Sequence, residues 1–445
     1  MPALAPPPFE SAQDRYRARR VDPGGERVRW RAAHGLRALL ACAGAVLIYV
    51  VLQSLLASHA LAQSDDLDPY TRHDPVRMRR AGIEALRAFE WAADHTTRDV
   101  QSLMGYEPFR FVETAHFELA ASLSVQSVPA RGVAHDDLRR ELAELACVLP
   151  GVDPETRVLD GWLRAHLYAR RLEQLYAEVE ALLGVDAATK GAARPGSAGS
   201  ATYVGEGPFL GMRGKYRVIL CRDSSSVDAY LRNFLDLPAA RRSLRVDVDG
   251  GAALLLATAE SMPDEDLRDD RDLYAAVAYH TAHLLLDGFR HHWHECPPWL
   301  EEGLAHWLQL RAVPERACFA ARPAELPADP AGKAWSLRVR RRTQSGAVVA
   351  SAELFAHDDA ATLTFADHLA AWSRVDFLVR AHPGAFALFL RTVKGPDVSH
   401  LPVKPTWAVV RARQHEALRK VFGWTTEDFD TAWRGWVLDR YPAGT

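Results

Sequence analysis

Two stretches decide how this chain is read: Tyr279-His280-Thr281-Ala282-His283, and Trp299-Leu300-Glu301-Glu302-Gly303-Leu304-Ala305. The first lies inside Ala275 to Leu286, a run that is apolar apart from its Tyr-His-Thr-His cluster, so the spacing predicts a buried helix carrying a few polar heads into the core. Positions four apart share a helix face, which aligns Tyr279 with His283, while His280 and His283 stand about 60° apart around the axis. Pro297 and Pro298 read as helix starters for the second stretch, and Gly303 as a site of close helix packing. A carboxylate at Glu302, set between Trp299 and Leu304, needs a buried partner, and His283 is the obvious one.

This pair of helices resembles the zinc site of the gluzincin metallopeptidases, and within them the bacterial peptidase MA-like domains. That family places H-E-x-x-H on one helix, so that two histidines reach one zinc ion and the glutamate between them faces the metal-bound water. A second helix supplies a glutamate as third ligand, commonly within W-L-x-E-G-x-A, as in Trp299 to Ala305. With His283 as the second histidine, eighteen residues separate it from Glu302, the spacing familiar from aminopeptidase-like members. The resemblance implies an α+β fold, with a small mixed sheet over the motif helix and a mostly helical C-terminal part. It also implies that the run Ala252 to Thr258 is an edge strand able to pair with an extended peptide.

The same register puts Tyr279 where the first histidine belongs and His280 where the general base belongs. A neutral phenol is a poor zinc ligand, and losing the carboxylate removes the proton acceptor for the attacking water. His283 and Glu302 would then be two ligands where catalytic zinc has three. A rearranged site of His280, His283 and Glu302 is the alternative, with zinc as cofactor; if the site has decayed, zinc is weakly held or absent. His306, four residues after Glu302, stands on the same helical face and can contact Glu302 or a metal. His291, His292 and His294 read as polar loop residues, and His368 and His382 are downstream candidates for a transition-state-stabilising group without motif support.

Around this centre, Phe109 to Ala121 alternates like a strand, and a helix with a core-facing stripe runs from about Trp162 to Leu182. Residues 186–202 read as a loop. Tyr216 to Cys221 reads as a strand, followed by a serine-capped helix to about Leu235 and two further strands, Leu244 to Val248 and Ala252 to Thr258. Helices are expected over Phe365 to His382, Gly384 to Val393 and about Glu427 to Tyr441, the last capped by Thr425 or Thr426. The basic stretch Arg338 to Arg342 is expected to be a solvated strand or loop edge.

The N-terminus carries a targeting signal. Eight arginines between Arg15 and Arg37 precede an apolar run that reaches Ala57. About 20 such residues can cross a bilayer core of about 30 Å, and the arginines orient the N-terminus toward the cytoplasm. Residues 38–57 are thus expected to be a single-pass anchor with the bulk extracytoplasmic, or a signal segment cleaved near Ala62. The cysteines, at Cys42, Cys147, Cys221, Cys296 and Cys318, have no C-x-x-C spacing and read as buried thiols; the alternative is up to two disulfides among the four outer ones, of which Cys296 and Cys318 flank the second motif helix. A formal charge of -3, from 54 basic and 57 acidic residues, supplies no field that would favour nucleic acid.

The domain reading is a basic cytoplasmic segment (1–37), an anchor (38–57), a linker (58–76), a helical lead-in (77–104) and a peptidase MA-like domain (105–442). The functional expectation is a membrane-anchored pseudopeptidase that binds an extended peptide or protein partner, without nucleic acid. Its alternatives are an active zinc peptidase and a structural helical protein unrelated to peptidases.

Overall fold

The alternating segment Phe109 to Ala121 is folded into two strands, β2 (Arg110–Thr114) and β3 (Phe117–Ala121), because the intervening residues turn the chain back on itself in antiparallel register, Val112 opposite Leu119. In the computed structural model, residues 67–89, 102, 104, 107–185, 207–234, 243–248, 253–260, 269–290, 295–395 and 406–443 are described. The segment 38–57 expected to be an anchor, the loop 186–202 and His291, His292 and His294 lie outside the described residues. Among the described residues, no helix is long and apolar enough to cross a membrane.

One mixed sheet organises the fold. Its strand order is β1 (Ile83–Ala85), β2, β3, β6 (Tyr216–Cys221), β8 (Ala253–Ala259), β7 (Ser243–Val248). A separate small pair joins β4 (Gln126–Ser127) to β5 (Val158–Leu159). β3, β6 and β8 run parallel, while β7 is antiparallel to β8. The expected edge strand is therefore interior. Leu255 is in register with Arg217 on one side and Val246 on the other. An unbroken apolar run belongs to a strand with neighbours on both sides, and among the described residues β7 takes the terminal position beyond it.

The chain enters this fold earlier than expected. Asp68 is fully buried and accepts from the Tyr70 and Thr71 amides, the Thr71 hydroxyl and the His166 ring, so the polar stretch expected to be a linker is folded from Leu67 onward. Helix α1 (Pro75–Arg80) is capped by Asp74 and gives way to strand β1, which pairs with β2; of the helical lead-in expected over 77–104, Ala81 to Phe89 is not helical and most of the rest lies outside the described residues.

Helices α2 (Val133–Val148) and α3 (Gly161–Leu183) follow, then α4 (Ser224–Phe234). The first motif helix, α5 (Asp270–Gly288), contacts β8, α3 and the second motif helix, α6 (Pro298–Ala312). α7 (Trp335–Ser345) contains Arg338 to Arg342, a helix rather than a strand or loop edge. Trp335 and Val339, four apart and both buried, fix that period, and the arginines reach out to backbone carbonyls, Arg338 to Asp329 at 2.6 Å. After a single turn, α8 (Ser351–Leu354), come α9 (Phe365–Ala381), α10 (Pro383–Val393), α11 (Trp407–Phe422) and α12 (Thr426–Arg440). The expected Thr425 cap is present with Asp428 as its capping-box partner. Trp433 on α12 donates its ring N–H to Ser373 on α9 at 2.9 Å. Among the described residues no disulfide joins Cys147, Cys221, Cys296 and Cys318, and all but Cys147 are buried.

Candidate metal centre

Helix α5 is almost wholly buried, so Tyr279, His280, Thr281 and His283 bring polar groups into the core rather than to solvent. α6 lies against it, capped by Pro297 and started by Pro298 as the sequence indicates. Gly303 is where α6 meets α9: a Cβ built there would stand 2.7 Å from the Ala371 carbonyl oxygen and 2.8 Å from a Val375 methyl. The close approach predicted for Gly303 thus delivers α9, and with it His368, to the motif helices.

Glu302, 1% exposed, is the hub. Its Oε2 accepts from the Tyr279 hydroxyl at 2.6 Å and faces His306 Nε2 at 3.7 Å and His368 Nδ1 at 3.6 Å. Its Oε1 faces His283 Nε2 at 3.6 Å. His306 Nε2 and His368 Nδ1 are 2.9 Å apart. Glu302, His306 and His368 form a buried group of donors, mutually within 4.8 Å, that could hold a metal ion.

The other positions are held differently. His283 Nδ1 donates to Glu301 Oε1 at 2.6 Å, which fixes the proton there and leaves Nε2, which has no hydrogen-bond partner among the described residues, directed toward Glu302. Arg245 on β7 reaches the same Glu301 oxygen at 3.5 Å, so the terminal strand is tied to the motif helices through one carboxylate. Tyr279 also accepts from the Ala320 amide at 3.0 Å. His280 is buried with its ring edge-on to Tyr279, 5.1 Å between centroids, and does not join a three-donor group among the described residues.

Burial dominates the electrostatics. It pushes the Tyr279 hydroxyl well above its ordinary range, reinforced by the Glu302 charge, so this phenol is a neutral donor. It raises the Glu302 carboxyl and lowers His306 and His368. His280 is lowered to about 3 by burial and then by the Arg245 charge, and is a neutral imidazole at neutral pH.

The zinc ligands that the gluzincin resemblance implies do not fit this geometry. His283 and Glu302 present facing atoms at a separation suited to one ion, but the third position is a protonated phenol already committed to Glu302 and to a backbone amide. His306 Nε2 stands 3.7 Å from Glu302 Oε2. His382, partly buried at the start of α10, meets Phe377, Phe422 and Trp424 edge-on. His368 lies 66 residues after Glu302 in the sequence; its signal is the helix period that puts it on one face with Ala371 and Val375, the residues Gly303 admits. No protein-family model matches the chain, and no curated protein matches it.

Proposed function

We propose that this chain is a gluzincin-like domain that has left metallopeptidase chemistry and acts as a pseudopeptidase, binding an extended peptide or protein segment and tethered to a membrane through residues 38–57. The observation that carries this reading is the Tyr279–Glu302 hydrogen bond. It joins the two positions that the family would connect through zinc, and it does so with a group that stays protonated at neutral pH. With His280 neutral, no carboxylate stands in the general-base position to take a proton from water.

The binding role draws on β7. As the terminal strand it offers main-chain groups for pairing with an extended segment. Arg245, Glu301 and His283 connect that strand to the hub.

The test is hydrolysis of casein and of a quenched peptide library by the purified full-length chain in mild detergent. The wild type is expected to be inert, and Tyr279→His with His280→Glu is expected to gain chelator-sensitive cleavage. Wild-type cleavage lost in Glu302→Ala would overturn the pseudopeptidase reading. A folded double variant without any gain would count against the register that relates the two motifs.

A further inference from the structure

We infer that Glu302, His306 and His368 bind a divalent transition metal of the zinc class, at a place one helical turn along α6 from where the gluzincin resemblance would put it. Two helices build the site. Glu302 and His306, four apart, share one face of α6, and His368 is brought opposite them by α9 through the close packing at Gly303.

The geometry suits an ion. Zinc bonds of about 2.0–2.1 Å at tetrahedral angles place neighbouring donors about 3.3 Å apart. The three separations here are 2.9, 3.6 and 3.7 Å, on either side of that value. The walls are aromatic: the His306 ring meets Phe319 and Trp335 edge-on at 5.3 and 4.9 Å, and His368 meets Phe319 at 5.0 Å.

The chemistry argues the same way. A buried carboxylate needs a positive partner. Among the described residues, the basic side chains within 4 Å of Glu302 are histidines, all three deeply buried. Hydrogen bonding among the three groups is incomplete as well, since one proton at most can lie between His306 Nε2 and His368 Nδ1. A divalent ion would accept both nitrogen lone pairs and neutralise the carboxylate at once. Two imidazoles with one carboxylate is a donor set that zinc uses, and iron(II) and cobalt(II) accept it also. Tyr279, hydrogen-bonded to Glu302 Oε2, orients that oxygen toward the two rings.

The inference stands on these residues and not on the family reading. Its readout is metal content, whereas the pseudopeptidase reading is judged by hydrolysis. The full-length chain in mild detergent would be reloaded with zinc or cobalt(II), dialysed against a weak chelator, and assayed by mass spectrometry and visible absorption. About one equivalent is expected in the wild type, with tetrahedral cobalt bands. His306→Gln and His368→Gln should each lose metal at least about tenfold, while His280→Ala keeps it. Circular dichroism would confirm that each variant is folded. A wild type that retains no metal and shows no cobalt bands overturns the proposal whatever the variants do. So does metal lost in His280→Ala yet retained in His368→Gln, which would locate the ion at the His280, His283 and Glu302 set instead.

Discussion

The Tyr279 hydroxyl lies 2.6 Å from Glu302 Oε2 and 3.0 Å from the Ala320 amide, donating to the first and accepting from the second. One phenol thus satisfies a buried carboxylate and a backbone N–H together. Tyr279→Phe removes both bonds and puts no new partner in their place, so unfolding in urea should show a loss of about 2–3 kcal/mol. A loss under about 0.5 kcal/mol would mean that Glu302 is satisfied without the phenol, and would weaken the case that Tyr279 organises the hub.

Gly303→Ala tests the contact between α6 and α9. The added methyl would meet the Ala371 carbonyl oxygen, which is backbone and cannot swing aside. The helices must separate, at a cost of about 1–3 kcal/mol. Because His368 rides on α9, the variant should also bind cobalt(II) more weakly than wild type, read from the same absorption bands. Unchanged melting would show that the two helices are not in close contact there.

How legible was this structure in the sequence? The motif helices, the Thr425 cap, the strand and helix at Tyr216 to Phe234 and the packing role of Gly303 follow from local rules: periodicity, proline and cap chemistry, and a glycine where a side chain would not fit. What failed needed long-range information. The apolar run at Ala253–Ala259 reads as a strand, but its interior place depends on the pairing of Ser243–Val248 on its far side, which the sequence does not announce. Asp68 reads as linker because its partner, His166, lies 98 residues away. His368 was visible only as a downstream histidine, since its approach to Glu302 depends on how α9 docks on α6. Tyr279 lies within helix α5 as its spacing predicts, yet its bond to Glu302 depends on the spacing between two helices, which no residue type encodes.

Asp270, the first residue of α5, holds two buried arginines. Arg164 Nε donates to its Oδ1 at 3.0 Å and Arg171 Nη1 to its Oδ2 at 2.6 Å, both guanidinium groups lying on α3. Burial opposes the ionised carboxylate, but the Arg171 and Arg164 charges win and hold its carboxyl below the ordinary value. A depressed carboxyl stabilises the fold above its unfolded pKa of about 3.9, and that contribution fades as pH falls through the lower folded value. At neutral pH, Asp270→Ala leaves two guanidinium groups short of a partner and should cost about 3–5 kcal/mol. Replacing it without a shift in the urea midpoint would show that Glu141 and Glu260, which also pair with these arginines, are sufficient alone.

Asp287 behaves in the opposite sense. Burial, and then the nearby Glu301 charge, push its carboxyl up to about 7, against the pull of Arg245 and Lys394. Between about pH 4, where the unfolded chain releases this proton, and about pH 7, the folded state keeps it, so stability falls as pH rises across that window and levels off above it. A third of the side chain still meets solvent, at 32% exposure, and its closest Arg245 nitrogen is 3.9 Å away, so the contribution is held to about 1 kcal/mol. Asp287→Asn removes the ionisation while keeping the shape. The variant should equal the wild type near pH 4 and exceed it in thermal stability at pH 8, with the pH slope in between flattened. If the two melt alike at pH 8, Arg245 is neutralising Asp287 fully, and the tie between β7 and the motif helices runs through Asp287 as well as Glu301.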